Sequence, residues 1–319
     1  MKPAAAALQT WLAERYGLRL AASRCVARLD CEIHRLRPAG VGADLALRIY
    51  PPRVNDETAI ADEVTWLAAL GEAGLYVPTP QPALDGRLIQ PWPDGRLAVV
   101  LSWVGGRLLD KALRPTHLNR VGRLAGTMHR VATALVAEGR LTGQRPGDMP
   151  DLSAWAERHR APHPALPAAA QQRAEAAAQR LREELAAMPR DVACHGFIHS
   201  DLHLWNLLFQ GHAAGAIDFS ECGRGHHAQD LAAALHWIKH PVVGNHDHAP
   251  LYAHHRAALL EGYAAERSLP AGIERQIDAY IEVRMINAIE WVLDCWPTVD
   301  ERPWGRAFLQ RAGEFFADD

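Results

Sequence analysis

The hydrophobic pattern turns from strand-rich to mainly helical at Gly105-Gly106, and that break constrains the fold more than any other feature. Before it, apolar residues come in short runs bounded by turn formers. Asp44 to Tyr50 is one such run, preceded by the turn-like Pro38-Ala39-Gly40-Val41-Gly42, with Glu32 to Arg37 as a candidate partner strand. Arg87 to Gln90 and Leu97 to Val104 read as a second hairpin around Asp94-Gly95. Between them, Thr58 to Leu70 places Ile60, Val64, Leu67 and Leu70 at helical spacing, and the proline-rich Val77 to Pro82 can be neither helix nor central strand. After the break the spacing is helical, over Leu118 to Leu135, Ala168 to Met188 and Ile273 to Leu293. The last block carries a stripe of Ile277, Ile281, Met285, Ala288 and Val292 that reads as core. The expectation is an α+β chain of two units, a small β-rich one over 1–103 and a larger helical one over 104–319.

A chain of 319 residues can bury a sizeable core without disulfides. Its five cysteines (Cys25, Cys31, Cys194, Cys222 and Cys295) form no C-x-x-C pair and suit a reducing compartment. Lys and Arg total 34 against 37 Asp and Glu, so nothing global argues for a nucleic acid or an anionic membrane as partner. No apolar run is long enough to span a bilayer, and the N-terminus reads as an amphipathic helix carrying Leu8, Trp11 and Leu12, which makes the cytoplasm the expected location. Oligomeric state is not legible. The 17 histidines raise the question of a metal site.

The chemistry concentrates in His199-Ser200-Asp201-Leu202-His203-Leu204-Trp205-Asn206, followed by Ile217-Asp218-Phe219 and Asp230-Leu231-Ala232. Leu207 to Phe209 and Ala214 to Ile217 read as short strands around a turn at Gly211, which would set Asn206 just before one strand and Asp218 just after the next. A carboxamide and a carboxylate placed this way are hard oxygen donors suited to Mg²⁺, and Asp201 would share their loop. Asp230 precedes an apolar run and is expected to cap its helix, with bracing of the loop as a further role.

The His-x-Asp-x-x-x-x-Asn spacing is that of kinase catalytic loops, and the later Asp-Phe is that of a kinase metal ligand. Together with Asp230-Leu231-Ala232, these residues resemble the aminoglycoside phosphotransferase and choline kinase family, and the match covers most of the chain. The resemblance implies a protein-kinase-like bilobal fold, with a small antiparallel sheet and a helix pair in the first lobe and helices in the second. It implies an ATP or GTP donor, Mg²⁺, and a small-molecule hydroxyl acceptor. Asp201 would be the catalytic base, and Asn206 and Asp218 the metal ligands. Arg48, in Leu47-Arg48-Ile49-Tyr50, would contact phosphates with Glu63 holding it. Ser102, Trp103 and Val104 would meet the nucleotide base, with Leu208 beneath it.

Two departures from the family pattern stand out. Arg48 occupies a position where kinases commonly carry Lys, and a planar fork binds phosphate differently from a point charge. The expected first strand pair, Leu29 to Arg35, has no glycine where phosphate-cradling loops usually do, so no phosphate ligand is assigned there. Two rivals remain. His195, His199 and His203 recur every four residues, which on a helix would suit a metal-dependent phosphohydrolase, although Gly196 and Ser200-Asp201 disfavour that helix. A catalytically silent kinase-like binding protein is the other. A cationic acceptor would be drawn to Glu221, Asp278, Glu282, Glu290 or Asp294 and stack on Trp237, Trp291 or Trp296.

Overall fold

The computed structural model describes residues 3–28, 31–52, 56–109, 112–144, 151–159, 161–241, 249–295 and 303–316. A helix, α1 (Pro3–Tyr16), leads into β1 (Leu20–Arg28), β2 (Glu32–Pro38) and β3 (Leu45–Ile49). Helix α2 (Glu57–Glu72) follows, then β4 (Ile89–Pro91) and β5 (Leu97–Ser102). The five strands form one antiparallel sheet in the order β1-β2-β3-β5-β4. Pro91 is tolerated because β4 is an edge strand. The expected first strand pair at Leu29 to Arg35 is corrected: β1 is an earlier segment, and residues 29–30 lie outside the described ones. The mixed polar pattern of Leu20–Arg28, mostly exposed, hides the strand from a hydrophobicity reading.

The two faces of this sheet belong to different cores. Leu36, Leu47, Ile49, Ala98 and Val100 pack with Leu8, Trp11 and Leu12 of α1. On the other face Tyr50, Val99 and Leu101 join a much larger core that takes in α2 and the helices beyond the break. Period-2 alternation along β3 and β5 makes this division, with β5 apolar on both sides and β3 presenting Arg48 on the second face. Helix α2 starts at Asp56, whose carboxylate accepts from the Thr58 and Ala59 amides. Its Trp66 meets Phe197 and Phe219 edge-on at 5.1 and 5.4 Å.

The second part holds α3 (Pro115–Ala137), α4 (Leu152–Arg158), α5 (Ala168–Ala187), β6 (His195–Ile198), β7 (Leu207–Gln210), β8 (Ala213–Ala216) and β9 (Gly223–His226), then α6 (His227–Lys239), α7 (Tyr252–Ala264), α8 (Ile273–Cys295) and α9 (Pro303–Gln310). Helices α3 and α7 pack backbone to backbone: a Cβ at Gly262 would stand 1.9 Å from the Asn119 carbonyl oxygen. The α8 stripe is core as expected, with Ile277, Ile281, Met285 and Val292 buried and Ala288 half-buried. No helix among the described residues is long and apolar enough to cross a membrane.

Candidate active site

Two short two-stranded sheets, a hairpin of β7 and β8 and the pair β6–β9 that brackets it in the chain, build the site. In β7–β8 the register pairs Leu207 with Ala216, so Asn206 and Ile217 leave the ladder side by side, and the Ile217 amide donates to the Asn206 carbonyl at 2.9 Å. That sets Asp218 beside the Asn206 loop. In β6–β9, Ile198 pairs with Gly223, and the loop after β6 carries His199, Ser200 and Asp201. His199 is fully buried and joins the two loops. Its Nε2 lies 3.1 Å from the Ile217 carbonyl, and its Nδ1 accepts from the Asp201 amide at 3.3 Å. Burial lowers its pKa, so it acts as a neutral strut.

Asp230 braces the loop from behind. It lies in the first turn of α6, where the N-cap is His226, so the expected capping role is corrected. Its fully buried carboxylate accepts from the His199 and Ser200 amides at 2.9 and 2.8 Å and pairs with His129 Nε2 at 3.0 Å. His129 Nδ1 in turn lies 2.9 Å from the Tyr263 hydroxyl. The brace holds Ser200 at φ 71, a left-handed conformation. Asp218 is left-handed too, at φ 63. Non-glycine residues in this region cost of order 1 kcal/mol or more and persist only where surrounding bonds impose them.

Asp201 is the most heavily contacted carboxylate of the loop. Arg284 of α8 donates to it at 2.5 Å, His203 Nε2 lies 3.2 Å away, and the Asn206 amide nitrogen donates at 3.0 Å. Burial alone would raise its pKa, but the hydrogen bond and charge of His203, joined by Arg284, hold it well below the usual carboxylate range. Asn206 commits its amide nitrogen to the Asp201 side chain and carbonyl, which leaves its amide oxygen as the atom it can offer a cation. Asp218 is 46% exposed, accepts from Arg48 at 3.1 Å and from the Ser220 hydroxyl at 2.9 Å. The amide oxygen of Asn206 and the carboxylate of Asp218 make an oxygen donor set that fits a hard divalent cation such as Mg²⁺.

Arg48 reaches Asp218 from β3 and meets Glu63 of α2 at 2.6 Å. The Tyr50 hydroxyl donates to the other Glu63 oxygen at 3.0 Å. Burial opposes the Arg48 charge, but Glu63 and then Asp218 outweigh it and raise the guanidinium pKa well above its ordinary value. The Arg-for-Lys departure therefore does not break the pairing geometry. Beyond β5, the Ser102 hydroxyl is turned to Thr79, and the Trp103 amide donates to the Asp44 carbonyl at 3.0 Å. Val104 is buried, and the Arg35 guanidinium lies 4.7 Å over the Trp103 ring. Gly106, at φ 130, lets the chain press on Leu208: a Cβ there would be 3.2 Å from that side chain.

The structure does not assemble the other proposed groups. His195 lies on β6 and His199 and His203 in the loop, so the four-residue spacing makes no common helical face. Glu282 pairs with Arg180 at 2.5 Å, Glu290 with Arg158, and Asp278 with Arg256 and Lys239, so three of the acids named for a cationic acceptor already hold cations. Asp294 is exposed, and Glu221 half-buried. Trp237 joins Trp205 and Phe308, Trp291 stacks on Trp304, and Trp296 lies outside the described residues. Two cavities of about 590 and 720 Å³ flank α4 and α5 and contain none of the site residues. Sequence reasoning missed Arg284 and gave His203 a place only in the rival metal reading, not beside Asp201. His203 had a signal, being two residues from Asp201; Arg284 had none.

This arrangement, an acidic loop facing an amide and a second carboxylate, with a buried Arg–Glu pair opposite, belongs to a known class. The sequence pattern of the phosphotransferase enzyme family matches residues 34–269, and the chain is a member of that family. Among its relatives is the amicoumacin kinase of Bacillus subtilis (strain 168), 25% identical over 213 residues, which are 65% of this chain and 61% of that protein. The chain is also similar in fold to an amicoumacin kinase, hAmiN, solved with AMP-PNP, Ca²⁺ and Ami, at TM-score 0.79 and 18% identity over 100% of this chain and 96% of that one. A microcompartment-associated aminopropanol kinase superposes at TM-score 0.71 and 21% identity over 97% of this chain and 94% of that one. A spectinomycin phosphotransferase solved with ADP and spectinomycin does so at TM-score 0.63 and 13% identity, over 97% and 96%. The fold is therefore kinase-like α+β, as the resemblance implied.

Proposed function

We propose that this chain transfers the γ-phosphoryl group of ATP or GTP to a hydroxyl of a small-molecule acceptor. The division runs near residue 103, with the nucleotide held chiefly by 1–103 and the acceptor by 104–319. The observation that carries this reading is the joining of Asp201, Asn206 and Asp218 by the two small sheets, with Arg48 tied to both Glu63 and Asp218. Nucleotides bound in the structural neighbours support the donor class.

In this reading Asp201 orients the acceptor hydroxyl and takes its proton as the oxygen attacks the γ-phosphorus; the bond to the β–γ bridging oxygen breaks and the diphosphate leaves. Asn206 and Asp218 would hold Mg²⁺, which when bound neutralises charge on the phosphates. Arg48 aims its fork at those phosphates, fixed by Glu63 and Tyr50 so that little is reorganised during reaction. Ser102 to Val104 and Leu208 border the nucleotide base. His203 and Arg284 hold Asp201 in line and ionised. Most of the rate comes from positioning.

The acceptors to try first are an amino alcohol, since one structural neighbour is named an aminopropanol kinase, and amicoumacin itself, after the kinase named for it. The test is nucleotide consumption with Mg²⁺ against a panel of amino alcohols, sugars and antibiotics, repeated with Asp201→Ala. Acceptor-dependent diphosphate release that vanishes in the variant is the expected result. No release with any acceptor, or release indifferent to the variant, would sink the proposal; the first outcome would favour a silent binding protein.

A further inference from the structure

Phosphotransfer leaves unused a second constellation on the sheet. Cys25 of β1 and His34 of β2 are direct cross-strand partners, and Glu32 is two residues from His34, so all three side chains stand on one face. One ligand atom from each (thiol sulfur, carboxylate oxygen, imidazole nitrogen) lies within 4.8 Å of the other two. His34 Nε2 and Glu32 Oε1 are already 2.8 Å apart. The next residue on that face, Leu36, packs under α1, whereas Arg48 pairs with Ile33 and so faces the opposite side. This cluster is therefore separate from Asp218 and the Arg48–Glu63 pair.

What occupies the centre of the cluster points to a cation. Arg28 donates from Nε to the Cys25 sulfur at 3.3 Å and from a terminal nitrogen to Glu32 at 3.3 Å. Arg96 approaches the same carboxylate at 3.5 Å. Two of the three donors, Cys25 and Glu32, thus already hold a cationic side chain that is 69% exposed, and His34 closes on the same carboxylate. An exposed guanidinium on a flexible stem can leave to solvent at little cost.

We propose that Cys25, Glu32 and His34 bind a thiophilic divalent cation of the Zn²⁺ type, with water as the fourth ligand. Sulfur, nitrogen and carboxylate oxygen together are a zinc donor set and a poor one for Mg²⁺. Bond lengths of about 2.0–2.3 Å to such an ion set tetrahedral ligand atoms roughly 3.3–3.7 Å apart, so the His34 and Glu32 atoms, now 2.8 Å apart, open slightly to admit it. Binding displaces Arg28 and releases the Cys25 thiol proton to water. The ion would tie β1 to β2 on the face away from the nucleotide. The inference does not depend on phosphotransfer.

The test is titration of the reduced, metal-free full chain with Co²⁺, followed by Zn²⁺. Expected are one equivalent bound, a thiolate-to-Co²⁺ charge-transfer band with the visible bands of tetrahedral Co²⁺, and loss of both on adding Zn²⁺ but not Mg²⁺. Cys25→Ser should remove the charge-transfer band, and Cys31→Ser should leave it. Arg28→Ala should tighten binding by about twofold to fivefold, because a competing surface cation has gone. This last variant changes no ligand, so it keeps the test decisive if Cys25→Ser folds poorly. Absence of the band in the unaltered chain, its survival in Cys25→Ser, or weaker binding in Arg28→Ala would overturn the proposal.

Discussion

The donor side and the acceptor side of the candidate site are built differently. On the donor side Arg48, Glu63 and Tyr50 sit on a strand and a helix that pack directly on each other, and every charge is buried against its partner. On the acceptor side Asp201 depends on Arg284, brought from α8 across 83 residues of chain, and its own side chain is 26% exposed. The first arrangement is rigid before any ligand arrives. In the second, the carboxylate proposed to meet a hydroxyl is already engaged by two basic groups, so on that proposal acceptor binding exchanges contacts as well as adding them. A fixed pair suits a phosphate group common to every turnover, while an exchangeable one lets different acceptors be sampled.

The largest expected effect tests the acceptor side. Asp201→Asn should lower kcat by about 10²–10⁴-fold, the usual contribution of a positioned base, while nucleotide affinity measured calorimetrically stays within a fewfold of the original. An equal loss of nucleotide affinity would erase the distinction between the sides. Next comes the donor side. Arg48→Met strands the buried Glu63 charge and should cost about 3–5 kcal/mol of stability in urea unfolding. A loss near zero would mean the pair is not as dry as its burial implies. Pairing Arg48→Met with Glu63→Gln should recover part of that cost, since the stranded charge is then gone.

Arg284→Met sharpens the comparison through pH. Arg284 helps depress the Asp201 pKa, so its removal should move the acid limb of the kcat profile to higher pH, with kcat near neutrality less affected. The same sign holds for stability. A carboxylate with a depressed folded pKa stabilises above its unfolded value of about 4 and loses that contribution as pH falls through the folded value, so the variant should lose it at higher pH. An unmoved acid limb would remove Arg284 from the site. The smallest effect concerns the histidines. His195 and His240 are lowered to about 4 and His227 to about 2, chiefly by burial. Groups kept neutral in the fold but free to protonate when unfolded withdraw stability as pH drops below about 6.5. The melting temperature should therefore decline from pH 7 to 5, and His195→Gln should flatten part of that slope.

How legible each side was follows from the same contrast. The donor pair was named through the family resemblance, which could be placed because the strand and helix carrying it show their periods plainly, in Leu47-Arg48-Ile49 and in Ile60, Val64, Leu67 and Leu70. Asn206 and Asp218 were legible because a tight hairpin converts a sequence interval into proximity. Arg284 was not, since it lies inside a helix whose apolar stripe reads only as core, and nothing local says which way α8 presents its polar residues. The paired fates of Glu282, Glu290 and Asp278 were hidden for the same reason: tertiary neutralisation has no sequence period. β1 was missed because a half-exposed edge strand need not alternate. The Asp230 cap failed by a few residues, within the error of placing a helix start from composition.

Helix α2 has a mechanical consequence. Its Asp62 is clamped by the Thr142 amide and hydroxyl and the Gly143 amide at 2.7 to 2.9 Å, and its Trp66 is wedged on Phe197 and Phe219. Although it precedes the break in the chain, it is bolted to the helical half. Its Glu63 meets Arg48 of the sheet from that anchorage, so the buried ion pair rivets the sheet to the helical half while holding the guanidinium beside Asp218.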